Sequence, residues 1–320
     1  MSIEWEEWPT ESEWESYFEK FSNWGRWGDD DVLGTLNLIT DDKRRRACGL
    51  VTTGTQVSCS RPIEFGRNLP PEAGGGNAPL HFFSQVAQNA PESGGYGSHD
   101  WVGFPIHGAY ITHVDSHAHV VWNRSMYNGQ PVSAVTAEYG ARKGSVEPFS
   151  RGVITRGILL DIAGLHEVDW LPNAYPIGAR DLAAAADKQG VTPEPGDLVM
   201  VRTGYGAYRQ SAEAKAKRSQ PATHSVPGLG VRSLQWFRAN DTAVIASDVP
   251  TEAFPAPYKW LAPFHAVAMA AMGNWIIDNA DFEDLTRACR DLGRWEFLVT
   301  IGALRLKNTT GSPINPIVVL

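Results

Sequence analysis

His107-Gly108-Ala109-Tyr110-Ile111-Thr112-His113-Val114-Asp115-Ser116-His117-Ala118-His119 places four of the chain's nine histidines within thirteen residues. In an extended segment, side chains two residues apart point to the same face. The spacing therefore predicts one strand face bearing His113, Asp115, His117 and His119, joined by His107 if the strand runs that far. Imidazole nitrogens with a carboxylate suit Zn²⁺ or Mn²⁺. Three protein ligands leave a position open for water, whose pKa such an ion lowers toward about 7, and a further histidine can then move protons. One isolated histidine reads as a hydrogen-bonded surface or capping residue. Five polar groups on alternate positions, flanked by Val114, Val120 and Val121, read as a metal site.

The rest of the chain frames that site. It has 320 residues, 42% hydrophobic and 20% charged, enough to build a sizeable core. Lys plus Arg number 28 and Asp plus Glu 36, a net charge of −8, which argues against a general nucleic-acid or anionic-membrane binder. Three cysteines (Cys48, Cys59, Cys289) form no CxxC pair and no even framework, which fits a reducing, cytoplasmic setting and excludes a thiolate-rich zinc site. The acidic, aromatic start lacks a secretory signal's basic residues and apolar run. The longest apolar stretch, 262–277, contains His265 and Asn274 and is too short to span a bilayer.

Runs rich in Val, Ile and Leu predict strands over 56–63, 152–162, 197–202, 243–247 and 296–306. Helices are expected over 41–51, 179–189, 205–218, 231–240, 263–275 and 281–292. The mixture predicts a single α/β domain over 1–320, with 1–22 as an N-terminal extension and 64–103 as a long Gly/Pro-rich loop region. Other motifs are weak. No G-x-S-x-G elbow is present, His166-Glu167 lacks the second histidine of H-E-x-x-H, and Gly228-Leu-Gly230 lacks the third glycine of a dinucleotide fingerprint. Lys215, Lys217 and Arg218 read as a solvated helix face.

Thr112-His113-x-Asp115-x-x-x-His119 resembles the H-x-G-T-H-x-D-x-P-x-H motif of the cyclase family of metal-dependent hydrolases, which includes kynurenine formamidase, isatin hydrolase and trans-dienelactone hydrolase. The resemblance is closest to the longer branch and extends along nearly the whole chain. It is carried also by Asn23-Trp24-Gly25-Arg26-Trp27-Gly28 through Asp31, Gly34 and Asn37, by Tyr127-Asn128-Gly129, by Arg202-Thr203-Gly204, and by Thr310-Gly311-Ser312-Pro313-x-Asn315-Pro316. It implies a compact swivelling β/β/α domain of sheets packed with helices, His113 and Asp115 as metal ligands, and His119 in proton transfer. It implies further ligands at His265 and Asp278. The family's first histidine falls at Ala109, for which His107 is the nearest replacement. Its glycine is Ile111, its proline is His117, a further ligand or acid, and its later glutamate is Asp278.

The expected function is hydrolysis of an amide, lactam, lactone or ester in a small cyclic or aryl substrate, assisted by Mn²⁺ or Zn²⁺, with His119 helped by His117. Two alternatives stay open: a metal-dependent lyase or cyclase acting on a polyketide-like intermediate, and a non-catalytic metal- or ligand-binding homologue. Asp248 and Glu252 either face the same cleft or cap the surface. The resemblance also implies a homodimer or homotetramer, and Trp5, Trp8 and Trp14 are expected at a subunit or domain contact. His81, His99, His166 and His224 have no assigned role.

Overall fold

The computed structural model describes residues 3–65, 79–108, 110–212, 214, 225–260 and 262–320. Nine strands form one mixed sheet. In chain order they are β1 (Gln56–Ser58), β4 (His113–Asp115), β5 (Val153–Asp161), β6 (Leu198–Arg202), β7 (Val244–Ser247), β8 (Trp275–Asp278), β9 (Glu296–Ile301), β10 (Gly311–Pro313) and β11 (Ile317–Val319). The labels β2 (Leu80–Gln85) and β3 (His99–Gly103) belong to a separate hairpin. The spatial order is β1-β11-β9-β5-β6-β7-β8-β4-β10. The four central strands β5 to β8 run parallel, and antiparallel strands close both sides.

The central strands are nearly unbroken in Val, Ile and Leu because both faces of the sheet are covered. Ile158, Leu160, Val199, Val201 and Ile245 pack into the core on one face. Leu159, Leu198, Met200, Val244 and Ala246 pack into the core on the other. This is the single mixed α/β domain that the sequence leads one to expect.

Several local expectations differ. The region 64–103 is not all loop: its Leu, Phe, Trp and Val residues pair as β2 and β3, while residues 66–78 lie outside the described set. The N-terminal segment forms a helix, α1 (Glu11–Lys20), capped by Thr10, whose hydroxyl accepts from the Glu13 N–H, with acidic residues in its first turn and Lys20 in its last. Trp14 of α1 is fully buried, stacks on Tyr258 and donates its indole N–H to the Pro263 carbonyl at 3.1 Å. It is thus spent within the chain and offers nothing to a second subunit. The expected helix 263–275 is a short α segment (Pro263–His265) that widens into a π-helix (Ala266–Ala271) and then gives way to β8. The expected helix 205–218 is described as helix over Tyr205–Gln210; Lys215, Lys217, Arg218 and His224 lie outside the described residues. Among the described residues, no helix is long and apolar enough to cross a membrane.

Candidate metal centre

Sheet register builds the centre. In β4, His113 lies directly across from Asp278 of β8 and Pro313 of β10, while Asp115 lies across from Ile276 and Gly311. His113, Asp115 and Asp278 therefore share one face, as strand alternation requires. Gly311 is the residue that makes room: a Cβ there would stand 2.6 Å from the Val114 carbonyl and 2.9 Å from the His107 ring. The space it leaves lets His107 reach Asp115.

The extended reading holds only as far as Asp115. The strand ends there, and the His119 N–H donates to the Ser116 carbonyl at 2.8 Å in a tight turn. The turn folds His119 back over the site. Its ring stacks on His107 with centroids 3.6 Å apart, and its Nε2 lies 3.8 Å from Asp115 Oδ2. The same turn carries His117 away. His117 is buried against Tyr127 and Trp275, and its Nε2 bonds the Gly273 carbonyl at 3.0 Å. The expectation that His117 shares the site's face is corrected, because alternation ends when the strand does.

His265 arrives at the end of its α segment, from a stretch whose neighbours share a core with Ile276 of β8. A π-helical turn beside a functional residue is a recurrent device. Here the end of the π-helix is fixed by the N-terminal signature. Asn23 donates to the Met272 carbonyl, Trp24 to the Ala270 carbonyl, and the Thr35 N–H to the Gly273 carbonyl. Gly34 has φ +56°, and a Cβ on it would lie 2.2 Å from the Gly273 oxygen, so the close approach needs glycine. Asp31 accepts from Tyr127 and from the Gly34 N–H, and Asn128 bonds the Gly28 carbonyl. These two sequence anchors thus brace the His265 segment.

The donor atoms converge. His113 Nδ1 bonds the Ile111 carbonyl at 2.7 Å, leaving Nε2 3.3 Å from Asp115 Oδ1 and 4.0 Å from Asp278 Oδ2. His265 Nδ1 bonds Glu252 Oε2 at 2.8 Å, leaving Nε2 3.7 Å from both Asp115 Oδ2 and Asp278 Oδ1. In each ring, the bond at one nitrogen aims the other inward. His107 uses Nδ1 on Asp115 Oδ1 and Nε2 on the Thr310 hydroxyl, both at 2.7 Å. Two three-donor groups, His113–Asp115–Asp278 and His107–Asp115–His119, each have ligand atoms within 4.8 Å of one another.

The chemistry of the set fits a divalent metal. Asp115 Oδ2 and Asp278 Oδ1 are buried with no hydrogen-bond partner. Buried carboxylate oxygens left bare cost several kcal/mol, roughly, unless a cation meets them. Burial works against the Asp115 carboxylate, yet the adjacent His119 and His113 rings hold its pKa well below the usual carboxylate range. Burial likewise opposes the His113 imidazolium, but the Asp115 charge and hydrogen bond outweigh it and raise the ring to about 9. At His265, burial is outweighed by Asp278 and Glu252, and the ring sits well above its ordinary value. His119 goes the other way: burial dominates and pushes it down to about 4, so this ring is neutral near pH 7.

His107, His113, His119, His265, Asp278 and Glu252 line a cavity of about 490 Å³ together with the apolar Val120, Val226, Pro250, Phe254 and Ala262. The position Ala109, where the family histidine would stand, lies outside the described residues. Of the two acids after β7, Glu252 belongs to the site. Asp248 does not: it accepts from the backbone N–H groups of Thr203, Gly204 and Tyr205 and from the Thr203 hydroxyl. It is thus the clamp on the Arg202-Thr203-Gly204 turn. Sequence reasoning assigned no role to Thr310, although the residue stood inside a quoted motif, and it left Glu252 undecided.

The family model Cyclase ("Putative cyclase") matches residues 53–252. No curated protein matches the chain. A crystal structure described as a novel cyclase is 29% identical over 95% of this chain and 99% of that one, with a TM-score of 0.83. Isatin hydrolase A from Ralstonia solanacearum is 16% identical over 82% of this chain and 91% of its own, with a TM-score of 0.56. An isatin hydrolase bound to the product analogue thioisatinate is 16% identical over 85% and 94%, with a TM-score of 0.57. At those two identities the likeness is one of fold.

Proposed function

The chain belongs to the Cyclase family, and from that premise we propose that it is a metal-dependent hydrolase of an amide, lactam, lactone or ester bond in a small cyclic or aryl substrate. One observation carries the reading. Two bare, buried carboxylate oxygens, on Asp115 and Asp278, face the Nε2 of His265 at the wall of a half-apolar cavity. The residues that would hold Mn²⁺ or Zn²⁺ are His113, Asp115, His265 and Asp278, with His107 hydrogen-bonded to Asp115 beside them and His119 left free for proton transfer. Such an ion, when bound, polarises a carbonyl and makes water more acidic.

The chain's own residues do the rest. Glu252 and the Ile111 carbonyl fix the tautomers of His265 and His113. Val120, Val226 and Phe254 shed water against the apolar ring of the substrate. His119, neutral and partly open to the cavity, takes a proton from the attacking water at Nε2 and returns it to the leaving nitrogen or oxygen. The water oxygen remains in the product carboxylate. We place the enzyme in the cytoplasm, as its free cysteines favour. We also propose a homodimer or homotetramer, favoured by the exposed Leu80, Phe82, Phe83 and Trp101 of the β2–β3 hairpin.

The test is turnover of an ester, lactone and lactam panel with added Mn²⁺ or Zn²⁺ in ¹⁸O-labelled water. Hydrolysis incorporates one solvent oxygen. A product formed without it identifies a lyase or cyclase, and absence of turnover alongside tight metal binding identifies a binding protein.

A further inference from the structure

A second concavity, of about 450 Å³, lies between residues 142–151 and 305–307 and shares no lining residue with the metal-centre cavity. Arg142, Lys143, Arg151, Arg305 and Lys307 line it, against one carboxylate, Glu147. The chain carries a net charge of −8, and many of its other cations find acids: Arg26 pairs with Asp241, Lys43 with Asp197, Arg202 with Glu283. Among the described residues, none of these five makes such a pair, and Glu147 accepts from the Ser145 hydroxyl at 3.0 Å. Five like charges around one concavity repel each other, and a concave wall concentrates their field.

The backbone beneath them is tied down. The Ala141 N–H donates to the Asn308 carbonyl at 2.8 Å, Val146 to Thr309 at 3.0 Å, and Ala118 to Gly144 at 2.9 Å. The two cationic segments are therefore held side by side, and the order a ligand would otherwise impose on the backbone is already present. The Arg142 guanidinium also lies 5.6 Å from the centre of the Tyr139 ring. Arginine forks match phosphate oxygens in pairs. A single carboxylate would leave most of the five cations unmatched.

We propose that this concavity is a binding site for a small anion bearing two phosphate groups, separate from the metal centre. The probes are inorganic phosphate and pyrophosphate, titrated calorimetrically into the metal-loaded protein and into an Arg305→Glu/Lys307→Glu double variant. Both positions are exposed, and metal content and melting temperature of the variant serve as folding controls. Pyrophosphate should bind the native protein roughly tenfold or more tighter than phosphate, weaken as salt rises, and lose at least about tenfold in affinity in the double variant. Pyrophosphate binding that the double variant retains unchanged belongs to the metal centre and overturns the proposal. So does absence of binding at low salt. Loss in the variant of binding to RNA or anionic vesicles, with no pyrophosphate binding by the native protein, reassigns the surface to a macromolecule and also overturns it.

Discussion

Replacing Glu252 by Gln removes one charge across the His265 ring from its inward nitrogen, and the structure sets what that costs. Glu252 is buried, with Oε1 accepting from the Phe264 N–H at 2.7 Å and Oε2 bonded to His265 Nδ1 at 2.8 Å. Two donors point at two acceptors. An amide offers one acceptor and one NH₂ group, so whichever way it turns, one buried N–H loses its partner. That costs about 1–3 kcal/mol of stability. If the amide keeps Phe264, its NH₂ group opposes His265 Nδ1–H and the ring turns or changes tautomer. An outer carboxylate on a ligating imidazole typically contributes about 10–100-fold to metal affinity. Glu252→Gln should therefore bind Mn²⁺ or Zn²⁺ about 10–100-fold more weakly, measured by competition with a chromophoric chelator. The circular dichroism spectrum should not change. Affinity within roughly threefold of the native value would refute the claim that Glu252 orients a ligand.

Three further outcomes follow from particular contacts. His117→Ala removes a buried ring and its bond to Gly273, so urea unfolding should show a loss of about 2–4 kcal/mol with metal content kept; the reverse pattern would put His117 back in the site. Arg26 clasps Asp241 with two bonds, at 2.6 and 2.7 Å, and its hydrogen bond holds that carboxyl below its usual range. The pair's contribution, at most about 1 kcal/mol at this exposure, is therefore present above the ordinary carboxylate range and lost as pH falls through the lower folded pKa. Native protein and Asp241→Asn should accordingly converge in stability on acidification, and a gap that widens toward acid pH would contradict the pairing. A native-state thiol reagent should label Cys48 quickly and spare Cys59 and Cys289, both buried, burial pushing the Cys289 thiol up to about 12. Equal labelling of all three would contradict the core packing.

How far the sequence could be read depends on how local each determinant is. The central strands were legible because burial on two faces writes a continuous apolar run, as in Leu198–Arg202 and Val244–Ser247. The three-residue strands β4 and β10 were not separable from loops by pattern, since their pairing is set by long-range register. The period-two argument placed His113 and Asp115 correctly on one face and failed at His117, because nothing in the alternation announces the turn at Ser116. The π-helix hid β8: Ala266–Ala271 reads as ordinary helix, and the break comes at Gly273, held by residues more than two hundred positions away. Thr310 escaped for the same reason, since it acts through His107, 203 positions away. Glu252 lies only 13 residues before His265, but no local pattern marks a carboxylate that acts by orienting a ring.

The most direct test of the account is the metal-to-protein ratio by inductively coupled plasma mass spectrometry, comparing chelator-free native protein with Asp115→Ala. Asp115 belongs to both donor groups, and one of its oxygens is buried without a partner. The account predicts a stoichiometric divalent transition metal in the native protein and its loss in a folded Asp115→Ala chain. Equal metal content in the two proteins, or none in the native one after supply of Mn²⁺ and Zn²⁺, would contradict it.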